Sequence, residues 1–471
     1  MSRRKVLLFI FFIISIRLFS QSVYDINYFI ANIHNTHSYK ITENEYKIKK
    51  IENGFLRKSL LPNVNLDFSL PYQRSISDVT QPDGTIKFLE RNFLNSYATL
   101  NTSQVLAFTG GTINLSNSIN YSRDFNNNYT NFSSNWVNFS YRQPINGYNS
   151  YKWDRKINKL VEKKDSVDYL KNKIKIRYEV AKAYIDAENA QLKSFLLIEN
   201  IKKSKSILHE ISEKFKHGRA IKTDVIQMEL NVSRLQGYLK VNAIECSNLF
   251  NQLERVSGIE FQDSIVLKSV EEIEYSLDKE ELIGKLESNG FGLEWAINEL
   301  KAEANYNKIK KEGSISLNLQ AGIGINSSAN EITDLFHTPL QTQFLTLGIK
   351  IPILDWGVSK DKVTIAQIER ENLKLKKEED EEEHIKSIEE LISYYLNVKS
   401  QIEVLKHQII LSDKLTADYK DLLLLGRITS SEFNNQLYEN INLTVDYEKN
   451  KNNLYLLKFR IEELNLNTNN L

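Results

Sequence analysis

The chain has 471 residues, enough for a large core or several domains, with a formal charge of +1, a single cysteine, six prolines and seventeen glycines. Acids and bases are balanced, so nothing suggests nucleic-acid binding, and the lone Cys246 excludes an intramolecular disulfide, leaving it to pack as a small apolar residue. Few Pro and Gly for this length favour long uninterrupted elements.

The first predicted element is a secretory leader over residues 1–20. Arg3, Arg4 and Lys5 precede an apolar run from Val6 to Ile16, and small Ser20 follows before Gln21. The run is shorter than the roughly 20 residues a spanning helix needs. Loss of Arg3, Arg4, Lys5 and Arg17 with the leader turns the formal charge of +1 into −3. No later stretch reads as a spanning helix. An exported chain of this kind is either soluble or a β-barrel.

A short helical stretch near 24–58 is followed by predicted strands at 63–71, 96–107 and 112–122, and by Val137, Phe139 and Tyr141 alternating with Asn138, Ser140 and Arg142. Segments 73–92, 124–133 and 327–341, rich in Asn, Asp, Ser and Thr, read as polar loops, and "FTGG" at 108–111 as a tight turn. After Pro144-Ile145 the period changes to helical, with Leu170, Ile174, Tyr178, Ala181, Ile185, Leu192 and Leu196 on one stripe. No Pro or Gly lies between Gly147 and Gly218; about 70 residues at 1.5 Å rise span about 100 Å if all helical. A returning helix runs from the Gly218 turn to about Gly258.

The second half repeats this grammar. A helical stretch near 279–311 precedes a strand at 314–326 and a second alternation, Leu345, Leu347, Ile349 and Ile351 against Thr346, Gly348 and Lys350. Pro352-Ile353 then opens a run free of Pro and Gly from Val358 to Leu425, carrying a heptad seam at Ile388, Leu391, Tyr395, Val398, Ile402, Leu405 and Ile409. Pro144 to Gly218 and Pro352 to Gly426 are both 74 residues, so both landmarks share an offset of 208, the mark of an internal duplication. The expected organisation is a first repeat over 21–258 (short helices, strands about 63–143, long helical hairpin about 147–257). A second repeat covers 259–471 (short helices, strands about 314–353, long helical hairpin about 357–465). Gly218 and Gly426 are predicted to end the outgoing helices, where φ > 0 is cheap in glycine, with Thr223 and Ser431 capping the returning ones, each followed by an acid, Asp224 or Glu432.

The strands, of about nine to thirteen residues, suit a tilted membrane crossing, which needs about 9–11. Tyr72, Trp136, Tyr141, Phe344 and Trp356 near strand ends suit interfacial girdles. A soluble β-sandwich alternates similarly, but it does not explain strand pairs joined to long helices. Six strands, four from the first half and two from the second, are too few for a wide pore, so oligomerisation would close the barrel and remove its edges.

"LLPNVNLDFSL" (60–70), "IPILDWG" (351–357) and the two turns, with Gly218 followed by Thr223-Asp224, resemble the landmarks of TolC-like outer-membrane efflux proteins over essentially the whole mature chain. The resemblance implies an α+β membrane protein: a homotrimer whose transmembrane β-barrel continues as a long periplasmic α-helical coiled-coil barrel, built from an internal two-fold repeat. It implies a passive exit duct in the outer membrane of a Gram-negative bacterium, in contact with lipid, serving a tripartite efflux pump or type I secretion system. A periplasmic adaptor would dock at the tips (Gly218, Arg219, Thr223, Asp224, Gly426, Arg427), and an inner-membrane pump or secretion ATPase would supply energy. The family has two strands per half, or twelve in the trimer; four plus two here would give eighteen, unless segment 73–110 lies outside the wall. Tyr and Arg latch positions of the family correspond here to Leu423 and Ile428, with Arg427 displaced by one. Glu432 stands where some members carry a pore-facing Asp, implying an acidic ring at the aperture; an acid favoured by the helix N-terminus is the alternative.

The remaining signals are plain. "KKEEDEEEH" (376–384) reads as a solvated helix face rather than a metal site, and His34 and His37 lack matching ligands. Arg219 and Arg427 are equally explicable as solvated turn bases. No phosphate loop, nucleophile elbow or paired-carboxylate site is present, so neither cofactor nor catalytic residue is expected. The rival reading is a soluble periplasmic coiled-coil scaffold, which explains the helices but not the strand pairs.

Overall fold

A computed structural model describes residues 23–261, 265–285, 290–337 and 339–466; the predicted leader lies outside them. The chain forms two compact units, each drawing on both halves of the sequence: Met1–Lys47 with Ser166–Phe291 and Glu381–Leu471, and Ile48–Asp165 with Gly292–Asp380. No described helix is long and apolar enough to cross a membrane.

The first unit is mainly helical. It holds β1 (Val23–Tyr24), α1 (Ile26–Ala31), most of α3 (Ser150–Lys216), α4 (Lys222–Ser257), β7 (Val266–Leu267), α5 (Lys279–Gly284), most of α7 (Val358–Leu424) and α8 (Ser430–Leu464). The two outgoing helices, α3 and α7, are each 67 residues long, as runs without Pro or Gly allow. The heptad seam is inside: Ile388, Leu391, Tyr395, Val398 and Ile402 are buried, and Leu391 to Ile402 pack with Leu454, Leu457 and Ile461 of α8. On α3 the expected stripe is buried at Ile174, Ala181 and Ile185 and half-buried at Leu170, Leu192 and Leu196, and it fails at one position. Tyr178 is exposed, while Val180, Ala181, Tyr184 and Ala187 pack around Phe29, Leu253 and Phe459. Small alanines, Ala181, Ala183 and Ala187, let neighbouring elements approach α3 closely. Tyr184 Oη donates to the Tyr24 and Lys268 carbonyls at 2.9 and 2.7 Å, and Gln191 bonds the backbone of Ile265 and Leu267, so the parallel β1–β7 pair is stitched to α3.

The second unit is built on one antiparallel sheet, flanked in the chain by the C-terminal part of α2 (His37–Ser59), the start of α3, most of α6 (Gly290–Glu312) and the start of α7. Its strands are β2 (Asn63–Ser69), β3 (Tyr72–Thr80), β4 (Ile86–Leu106), β5 (Gly111–Asp124), β6 (Tyr129–Pro144), β8 (Ser316–Ala329) and β9 (Leu340–Lys350). The order is β2-β4-β5-β6-β8-β9, with β3 also on β4. Ser69 faces Tyr97 and Tyr72 faces Leu94 in unbroken register, so β2 and β3 are one line of strand interrupted at Pro71, which has no N–H for the ladder. Among the described residues the sheet is therefore six strand positions wide, four from the first half and two from the second.

Segment 73–92, expected as a polar loop, is instead β3, a tight turn and the distal part of β4. Pro82-Asp83-Gly84 makes that turn: Gly84 has φ 85°, and Asp83 accepts from the Thr85 N–H at 3.0 Å and hydroxyl at 2.7 Å. The β4–β5 ladder begins only at Phe93 opposite Asp124, so Ile86–Asn92 runs on past β5. Strands also claim parts of the other expected loops, β6 starting at Tyr129 and β9 at Leu340.

Candidate functional site

Two places concentrate features that packing alone does not require: the faces of the sheet and the two glycine turns.

Alternation and register assign every strand residue to one of two faces. One cross-strand row holds Val64, Thr102, Leu115, Phe139, Ile323 and Gln343; the next holds Gln104, Ile113, Tyr141, Ala321 and Leu345. Leu66, Phe68, Leu100, Ile119, Val137, Ile325, Leu347 and Ile349 complete the same face. The opposite face carries Asn65, Asp67, Asn101, Asn114, Ser116, Asn138, Ser140, Gln320, Asn326 and Thr346. One face is mainly aliphatic, with Thr102, Gln104, Asn117 and Gln343 among its members, and the other is mainly amide and hydroxyl, with Tyr97 and Phe344 as exceptions.

The aliphatic face is the one left open. Leu66 is 70% exposed, Phe68 64% and Leu345 75%, and even on the inner strands Leu115, Ile119, Val137 and Phe139 are exposed. A soluble sandwich buries such a face, since side chains of this size gain about 1.5–3 kcal/mol each on burial. An open apolar patch of this extent marks an interaction surface. Aromatic rings bound it. At the far end Tyr72 meets Phe125 edge-on at 6.1 Å, Tyr121 packs on Phe132 at 4.9 Å, and Trp136, at the β6 bulge, lies 5.6 Å from Phe336. At the helix end Tyr141 donates to Gln143 at 2.6 Å, and Trp356, with φ 56°, is 86% exposed. Between Phe132 and Tyr141 the strand rises about 26 Å at roughly 3.3 Å per residue, allowing for the bulge. Phe344 is not among these rings. It lies on the polar side, where a Cβ at Gly322 would strike it, so that glycine provides its seat.

At the helical turns, Gly218 and Gly426 take φ of 68° and 70° with open space around both, so conformation alone requires glycine. The Arg219 N–H bonds the Lys214 carbonyl at 2.8 Å and the Arg427 N–H bonds that of Leu422 at 2.9 Å, the same six-to-one helix closure twice. Arg219, Thr223, Arg427 and Glu432 are exposed and Asp224 is half-buried.

The returning helices start two residues before the expected caps. Ile221, not Thr223, is the N-cap of α4 and makes no side-chain cap bond. Thr429, not Ser431, caps α8: its Oγ1 accepts from the Glu432 N–H at 3.2 Å, and the Glu432 carboxylate accepts from the Thr429 N–H at 2.8 Å. The Thr-x-x-Glu spacing was present in the sequence as a capping-box signal. These bonds hold the Glu432 carboxyl below its usual range, the backbone N–H contributing most.

The two turns meet. Ser430 Oγ donates to the Asp224 carbonyl at 3.3 Å, Lys214 Nζ donates to the Leu424 carbonyl, and Leu423, Met228, Phe433 and Leu437 pack in one cluster with Ile428 at its edge. Leu423 and Ile428, where the resemblance implies a polar latch, thus enter an apolar contact. Deeper, Asn231 Nδ2 donates to Asn434 Oδ1 at 2.6 Å, a buried polar link between α4 and α8 whose partners lie far apart in sequence and leave no local signal. Among the described residues no group of three or more His, Cys, Asp or Glu is placed to hold a metal.

No protein-family model and no curated protein matches the chain. Solved structures do. The outer-membrane channel OprN aligns with a TM-score of 0.67 at 11% identity, covering 93% of this chain and 89% of that one. The Campylobacter jejuni CmeC outer membrane channel aligns at 0.66 and 12% identity over 94% and 88%, and the Vibrio cholerae outer membrane protein VceC at 0.61 and 10% over 93% and 94%.

Proposed function

We propose that this chain, which shares the fold of those outer-membrane channels, is itself an outer-membrane channel: a passive exit duct for a tripartite efflux pump or type I secretion system. The observation that carries the reading is the mainly aliphatic face left open on one side of a sheet whose other side is mostly Asn, Ser, Thr and Gln. Lipid covers the first and a water-filled lumen meets the second, the division expected of a membrane barrel. Backbone groups at the two sheet edges need partners in a bilayer, so the chain works as an oligomer, taken here as a homotrimer, whose barrel continues into a helical periplasmic portion. The two repeats, 21–258 and 259–471, each contribute strands and one long hairpin, and residues 1–20 serve export.

The tips then face the periplasm. Arg219, Thr223, Asp224 and Arg427 present exposed or half-exposed polar groups beside Gly218 and Gly426, suited to an adaptor bridging to an inner-membrane pump. The chain conducts and carries out no catalysis. A soluble periplasmic scaffold remains the second reading; it accommodates the helices but leaves the aliphatic face in water.

Fractionation tests the choice. The mature protein is expected to stay with outer membranes through a high-salt wash and, once extracted, to give conducting channels in planar bilayers. Recovery in the soluble periplasm would end the channel reading and favour the scaffold.

A further inference from the structure

Among the described residues the sheet ends in two bare edges, and the sequence makes no attempt to protect either. Ten of the eleven residues of β9 are exposed, as are six of the seven of β2. Edge strands that must stay single carry inward charges, prolines or bulges. Here β9 has one charge, Lys350 at its end, β2 has one, Asp67, and neither contains Pro. Both continue the aliphatic face, with Leu345, Leu347 and Ile349 on one edge and Val64, Leu66 and Phe68 on the other.

Six alternating strand positions fix the relative direction of the edges. Every neighbouring pair in the sheet is antiparallel, so β2 and β9 run oppositely, and β9 can add antiparallel to β2 of an identical chain. The chain already contains such a seam between its halves, β6 on β8.

Among the described residues the hairpin β2/β3–β4 has no counterpart in the second half. Thr112 faces Arg142 in β5–β6 and Ser316 faces Lys350 in β8–β9, and each hairpin leads through Pro-Ile into a 67-residue helix. Whereas α6 passes directly into β8, α2 passes into β2 and β4 before β5 is reached. The additional hairpin covers the β5 edge that would otherwise lie outermost.

We infer that β9 of each copy pairs with β2 of the next, so that the additional hairpin belongs to the wall and three copies close an eighteen-strand barrel. This rests on the trimeric channel reading and adds the seam and the strand count. An eighteen-strand barrel is in the range that leaves an aqueous channel. Beyond the reach of β9, the distal β3–β4 segment stands free of the wall.

Cysteine crosslinking tests the seam in the membrane-inserted full-length chain. With Cys246→Ser as background, Thr346→Cys on β9 is combined in turn with Asn65→Cys, Asp67→Cys or Ser69→Cys on β2, and separately with Asn114→Cys, Ser116→Cys or Ser118→Cys on β5. All lie on the polar face, and a disulfide forms only where Cβ atoms come within about 3.5–4.5 Å. Expected is an oxidant-dependent ladder reaching the trimer for at least one β2 partner and none for β5. A ladder from β5 with β2 silent would place the hairpin outside the wall and overturn the inference while the channel stands. A membrane-inserted trimer giving no ladder from either set would also overturn it. A soluble monomer would instead show that the channel reading itself fails.

Discussion

At the scale of the residue, Glu188 shows how the helical unit handles polarity. It is buried on α3, accepts from Asn452 Nδ2 at 3.0 Å, and lies near Glu448 and Lys451. Burial pushes its carboxyl above the usual range, against the Asn452 bond that favours the charged form. The native chain therefore holds this proton to higher pH than the unfolded chain does. The carboxylate costs stability above the raised native value, less between the two values, and nothing below the unfolded one. Glu188→Gln, which keeps the acceptor and offers an N–H to the unpaired Asn452 Oδ1, should raise stability by on the order of 1 kcal/mol at pH 8. The gain should fade as pH is lowered through the window between the two values. Denaturation midpoints measured across pH check this; a loss on substitution, or a gain independent of pH, would contradict it.

At the scale of the element, the start of α8 separates two roles for one carboxylate. Glu432 closes a capping box with Thr429, and an acidic ring at the aperture is a second, proposed role. Thr429→Ala should cost about 0.5–2 kcal/mol, the usual loss of an N-cap, and leave the charge in place. Glu432→Gln keeps an oxygen acceptor but removes the charge. If three such carboxylates line the aperture, it should change single-channel conductance and weaken block by multivalent cations, effects Thr429→Ala would lack. Equal conductance and block in Glu432→Gln and the parent would remove the ring and leave the cap as the whole role of Glu432.

Elements also differed in legibility for physical reasons. The seam from Ile388 to Ile402 was readable because those large side chains are the buried ones. The stripe on α3 was readable at Ile174, Ala181 and Ile185 but not at Tyr178, because Val180 and Tyr184, which lie off it, take the buried positions. The hairpin over 72–94 was hidden because, beyond the aliphatic band, neither of its faces must be apolar; Arg74 pairs with Glu90 on the side that carries Leu66 and Phe68 lower down. Its one local signal, the Pro82-Asp83-Gly84 turn, fits a polar loop equally well. The tip glycines were legible from their spacing, whereas the contact between the tips, through Ser430, Lys214 and Leu423, joins residues about 200 positions apart and has no local signature.

At the scale of the whole molecule, a channel requires that lipid meet one face of the sheet and water the other. Spin labels on single cysteines along β9, in a Cys246→Ser chain reconstituted in lipid bilayers, read this directly through collision with oxygen, which concentrates in lipid, and with a water-soluble nickel chelate. Labels at Leu345, Leu347 and Ile349 should favour oxygen, and labels at Thr342, Thr346 and Gly348 the nickel chelate, alternating residue by residue. Uniform access to nickel at all six positions would show that the aliphatic face meets water, and the channel account would be wrong.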